Sequence, residues 1–134
     1  MGHDKLKIGR EWEKAVAEVL EEYAIIRTWW RPQRARYSRL ADNSGQDIFG
    51  VFDFAGFDWF GQAYGCQVCR TRTDERTARE CKVRLWKQLY EPNVRCFIAA
   101  YRPKTGFELT ELREDGSFQL VGVFPWPETD KTGQ

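Results

Sequence analysis

Oxygen- and sulfur-bearing side chains crowd one stretch of the chain, DIFGVFDFAGFDWFGQAYGCQVCRTRT, residues 47–73. Its Phe, Val and Ile content reads as two strands of a hairpin. With a turn near Phe60, within residues 58–61, Asp53 and Gln67 stand opposite one another. Directly opposed side chains share a face of the sheet, with Cβ atoms about 5 Å apart. Asp47 has the parity of Asp53 and shares that face if the strand is unbroken. A magnesium ion takes oxygen ligands and keeps several waters, so one or two carboxylates and a carbonyl oxygen suffice to hold it. Asp53, the side-chain oxygen of Gln67, and Glu13 or Asp47 form such a set.

The sulfurs point to less. Cys66 and Cys69 form a C-x-x-C pair, but residues three apart on a strand face opposite sides and cannot share an ion. A redox C-x-x-C opens a helix, whereas this one ends a strand. Cys81 falls on the inner stripe of an expected helix and Cys96 in a buried strand, both settings for inert cysteines. The spacing of the four cysteines is only loosely like a zinc ribbon. CQVCRTRT also fits C-x5-R-[ST], the phosphate loop of cysteine phosphatases, with Cys66 as thiolate and Arg72 as clamp. It lacks the glycine that lets such a loop curl, so a cysteine phosphatase is the remote alternative.

These residues need elements to position them. Over residues 5–23 the apolar positions Ile8, Trp12, Ala15, Val16, Val19, Leu20 and Tyr23 follow helical spacing. Glu11 and Glu13 flank that stripe on opposite shoulders, while Arg10, Lys14 and Glu18 point to water. Residues 24–30 read as a strand, and RPQRARYSRLADNSG, residues 31–45, as a loop. A second helix is expected over 73–90, capped by Thr73, with Asp74 and Glu75 at its positive end. Its inward stripe is expected at Ala78, Cys81, Leu85 and Leu89. The apolar run 93–101 reads as a strand buried on both faces, and two shorter strands follow at 107–112 and 118–124. The order helix, three strands, helix, strand makes a mixed sheet with helices packed on it, α/β or α+β. The chain of 134 residues reads as one domain, 1–125, with 126–134 as a frayed tail.

Charge singles out one segment. Between residues 23 and 41 stand Arg27, Arg31, Arg34, Arg36 and Arg39, with no acid among them and Trp29, Trp30 and Tyr37 interleaved. Such a surface suits phosphates and bases; the alternative is a solvated arginine loop with its tryptophans turned inward. The net charge of +1 decides little, and a 42% hydrophobic, 15% aromatic composition excludes a disordered chain. No apolar run approaches the roughly 20 residues that span a membrane, and MGHDKLKIGREWEK is charged rather than signal-like, so a cytoplasmic protein is expected.

Together the motifs resemble the PD-(D/E)XK nuclease superfamily. GREWEKAVAEVLEE is similar to the opening helix of archaeal Holliday-junction resolvases, which maps their glycine and glutamate onto Gly9 and Glu13. FDFAGF resembles the aspartate strand and places the aspartate at Asp53. CQVC resembles the third motif of Mrr-type endonucleases, which carry glutamine where others carry glutamate, at Gln67. The resemblance covers residues 8–101 and implies a restriction-endonuclease-like αβββαβ core. It also implies a nuclease that hydrolyses DNA phosphodiester bonds with Mg2+ or Mn2+, with Glu13, Asp53 and Gln67 at the site. Arg27, Arg31, Arg34, Arg36 and Arg39 with Trp30 would line the substrate groove, and a homodimer is compatible with this reading. The departure is Cys69, where the family has a lysine, and the adjacent Arg70 faces the other way. Lys82 is the first substitute, with Arg79 or an arginine of the 31–39 loop behind it. The alternative is a nuclease-fold module that binds nucleic acid or a protein without cutting.

Overall fold

The structure is a computed structural model that describes residues 2–32, 48, 49, 51–70, 73–102 and 104–126, with side chains for all of these except 2–10, 73 and 74. Asp47, Arg34, Arg36 and Arg39 lie outside the described residues. The elements run α1 (Gly2–Glu22), β1 (Phe54–Phe57), β2 (Ala63–Arg70), α2 (Thr73–Tyr90), β3 (Arg95–Arg102), β4 (Gly106–Leu112) and β5 (Phe118–Phe124). The five strands lie side by side in chain order. All neighbours are antiparallel except β2 and β3, which are parallel and joined through α2. The fold is α+β, a five-stranded mixed sheet with two helices.

Helix α1 forms because Val16, Ala17, Val19 and Leu20 line one side and are fully withdrawn from water. Its outer side carries the ion pair Lys14–Glu18, one turn apart. The helix ends in a Schellman turn, in which Ile25 N–H donates to the Leu20 carbonyl and Ala24 N–H to that of Glu21. Ala24 closes this turn with φ 61°, a left-handed conformation that suits glycine better than any residue with a Cβ. Ala24→Gly is therefore expected to raise stability by about 0.5–1 kcal/mol, read as a higher urea midpoint at unchanged slope.

The strand expected over residues 24–30 is not a regular one. The stretch runs beside β1 and bonds to it, with Arg27 and Thr28 N–H donating to the Phe57 carbonyl. Only Trp30 and Ala55 form a bridge, and it is isolated. The crossing is close: a Cβ on Gly56 would stand 2.2 Å from the Thr28 carbonyl oxygen. The element order is thus helix, two strands, helix, three strands.

The sheet has two faces. On one, Phe54, Tyr64, Cys66, Val68, Phe97, Ala99, Phe107 and Leu109 pack under α1. On the other, Cys69, Cys96, Ile98 and Ala100 pack with Val83 and Trp86 of α2 and with Val51 and Phe52. The alternation places Gly65, Gln67 and Cys69 of β2 on the α2 face. A Cβ on Gly65 would lie 2.5 Å from the Phe52 ring, so glycine leaves the room that ring fills.

Helix α2 has the expected bounds but the opposite phase. Cys81, Leu85 and Leu89 are exposed, as is Ala78, and the inward face is built on Val83 and Trp86. Long polar side chains complete it: Arg76 donates to Glu108, Arg84 to the Gly116 carbonyl and Lys87 to that of Val94. At the other end of the chain, Trp126 packs on Trp12, Tyr101 and Phe107.

Candidate functional site

The site grows out of the β1–β2 hairpin. Its turn is built on Asp58, whose Oδ1 accepts from Phe60 N–H and Gln62 N–H, both at 2.9 Å. That turn sets the register Phe54↔Cys66 and Ala55↔Gly65. One step back, just before β1 begins, Asp53 faces Gln67. The Asp53 Oδ2 accepts the Val68 N–H at 2.7 Å and the Gln67 Nε2 at 2.9 Å. The carboxylate thus takes a backbone donor of β2 at the point where β1 begins.

Gln67 is 2% exposed. Its Nε2 is committed to Asp53 and to the Val68 carbonyl, and its Oε1 is buried and accepts no hydrogen bond among the described residues. A buried carbonyl oxygen without a donor carries a substantial desolvation cost. A cation, or a water held by one, would relieve it.

Glu13 stands on α1, which packs on the sheet face opposite to that of Gln67. It is buried, not a solvated shoulder residue, and Arg31 Nη1 stands 3.8 Å from its Oε1. The thiol of Cys66 feels the charge of both acids. Burial first, then the negative charge of Asp53, with a smaller contribution from Glu13, push it well above the usual thiol range. Cys66 is a fully buried strand residue, a poor setting for a thiolate nucleophile.

Cys69 stands where the resemblance expects a lysine. It is buried beside Val83, Trp86 and Ile98. Burial and the charge of Glu75 push its thiol up to about 11. The basic charges that act on it belong to Arg76 and Arg79. Arg76 is already held by Glu108 at 2.6 Å. Cys81 faces outward, whereas its neighbour Lys82 is half-buried, as is Arg79, whose charge acts on Cys69. Arg70 is exposed at the end of β2.

Of the basic segment, Arg27 lies with its guanidinium 5.1 Å over the Trp59 ring, and Trp30 is exposed, whereas Trp29 turns inward onto Phe54. Arg31 pairs with Glu13 of α1. Spacing in the sequence gave no sign of that pairing.

Comparison with known proteins finds no match among family models, curated proteins or solved structures.

Among the described residues, no three His, Cys, Asp or Glu side chains are grouped to hold a metal ion. The oxygen-bearing side chains that the structure brings together are Asp53 and Gln67, and hard oxygens of this kind suit Mg2+ or Mn2+ better than zinc. No helix among the described residues is long and apolar enough to cross a membrane.

Proposed function

We propose that this chain is a metal-dependent nuclease of PD-(D/E)XK type that hydrolyses phosphodiester bonds in DNA. The observation that carries the reading is the buried Asp53–Gln67 pair, with the Gln67 oxygen lacking a donor among the described residues. It joins motif residues that lie fourteen positions apart. Asp53 and Gln67 would hold Mg2+ or Mn2+, with Glu13 and Asp47 as further candidate ligands. The ion, when bound, would polarise the phosphoryl oxygen and lower the pKa of an attacking water.

The protein's own contribution is positioning. The Val68 N–H and the Gln67 amide fix the Asp53 carboxylate, and Arg31 holds Glu13. Arg79 is the cation that would offset charge developing on the phosphate.

The test is cleavage of linear, branched and single-stranded DNA with Mg2+ or Mn2+. Activity abolished by EDTA and restored by the metal is expected. Arg79→Ala should lower turnover by about 10²–10³-fold with substrate affinity nearly unchanged, and Lys82→Ala should have little effect. The reverse ranking would restore Lys82.

A second reading has its own observation. Where the family has lysine, the chain has a thiol buried in an apolar cluster. If no substrate is cut by the wild type while DNA still binds, the chain is a non-cutting module on this fold.

A further inference from the structure

The α2 face of the sheet is only partly covered. Helix α2 packs chiefly on β2 and β3, and β1 lies at the sheet edge beyond them. By the alternation of the strand, Phe57 shares this face with Ala55, and the bridge to Ala55 places Trp30 on it too. Both rings are exposed, Trp30 by 62% and Phe57 by 54%. At the hairpin tip Trp59 is exposed as well, with Arg27 over it, and Phe60 is 94% exposed.

A tip of mobile aromatics would mean little, but this one is held. Asp58 accepts the Phe60 and Gln62 N–H groups and is itself bound by Arg95. Trp30 N–H and carbonyl both pair with Ala55. The rings are thus presented outward on a pinned backbone, against the cost of exposing large apolar surface.

We propose that Trp30 and Phe57, extended at the tip by Trp59 and Arg27, form a stacking strip for the unpaired bases of a single-stranded nucleic acid. The strip leads along β1 to Asp53 and Gln67. Phe57 lies four residue steps along the strand from Asp53, about 13 Å, a span of a few nucleotides. Aromatic rings alternating with arginine suit a single strand, whose bases have free π-faces and whose backbone is anionic. A duplex hides those faces. Arg27, held over the Trp59 ring, supplies complementary charge for the backbone. The assignment names the substrate class of the site proposed above and rests on that reading.

The experiment measures binding in EDTA, where no cutting can occur, using labelled oligothymidylate, oligouridylate and a duplex of equal length. Trp30→Ala and Phe57→Ala should each weaken single-strand binding about 5- to 150-fold and leave duplex binding within two-fold or so. Trp30→Phe, which keeps a ring, should recover most of the loss. Both residues are exposed, and unchanged circular dichroism and urea midpoints confirm that the variants fold. Single-strand binding unaffected by either alanine overturns the strip, as does an equal loss on duplex. Loss of self-association without loss of oligonucleotide binding also overturns it and makes the rings a protein contact. Tight, ring-dependent binding by a wild type that cuts nothing with metal leaves the strip standing and removes the nuclease reading. Cutting that is indifferent to both rings does the opposite.

Discussion

Asp53→Asn is expected to lower metal-dependent cleavage by about 10²–10³-fold while leaving the protein folded. The substitution is chosen for what it keeps. An asparagine oxygen can still accept the Val68 N–H that Asp53 accepts at 2.7 Å. What it loses is the negative charge that meets the Gln67 amide, which is what a divalent cation would require. Asp53→Ala is a poorer probe. It strips the acceptor from a buried N–H, at a cost of about 1–3 kcal/mol, so that lost activity could follow from lost structure. Turnover measured against metal concentration, beside a urea midpoint, separates the two. Cleavage within a few-fold of wild type at saturating metal would remove Asp53 from the chemistry. A loss that high Mg2+ recovers would make it a ligand that contributes affinity and little else.

That Asp53 meets Gln67 was legible in the sequence because it depended on one local choice. Given two β-rich runs and a turn near Phe60, pairing follows from counting, and the register Phe54↔Cys66 confirms the turn. The same logic separates Cys66 from Cys69, which the structure places in opposite core clusters. What each residue does chemically lies beyond counting and remains the proposal above.

Helix α2 shows where counting fails. Its sequence offers two stripes, and the more apolar one, Ala78, Cys81, Leu85 and Leu89, is the one left in water. The face that packs has just two large apolar residues, Val83 and Trp86. Around them the stems of Arg76, Arg84 and Lys87 cover apolar surface while their heads bond Glu108, Gly116 and Val94. Those partners are distant in sequence, so no periodicity within the helix could reveal them. The stretch 24–30 fails for a related reason. Its apolar, β-prone residues fit a strand, but the Schellman turn at Ala24 sets how the chain enters, and only Trp30 reaches a ladder position. Tertiary partners outweighed local propensity in both cases.

Arg95→Ala should destabilise the fold by about 2–3 kcal/mol at neutral pH, with the loss shrinking in acid. Arg95 forks onto Glu111 through Nε at 2.8 Å and Nη2 at 2.9 Å, and donates to Asp58 Oδ2 at 3.1 Å. Its guanidinium also lies 4.8 Å from the centre of the Phe97 ring. One side chain thus ties the hairpin turn to the middle of the sheet. Removing a partner from a buried pair typically costs about 3–5 kcal/mol; Arg95 is partly exposed, which reduces that figure. Burial alone would raise the pKa of Asp58, but the Gln62 N–H, the Arg95 guanidinium and the Phe60 N–H outweigh it and hold the carboxyl below its ordinary range. A depressed carboxyl contributes stability that is present above its unfolded-state pKa of about 3.9 and lost as pH falls through the folded value. In the variant, burial acts with less opposition, so Asp58 takes up its proton at higher pH and the acid-unfolding midpoint moves upward. Urea unfolding at neutral pH and near pH 3 checks this. The gap between wild type and variant should narrow in acid, where the wild type surrenders the same contribution. A gap equal at both pH values would mean that Arg95 stabilises through its contact with Phe97 and not through charge. Because Asp58 also pins the N–H of Phe60, the variant should present a looser tip, and weaker oligothymidylate binding would link the buried ion network to the exposed rings.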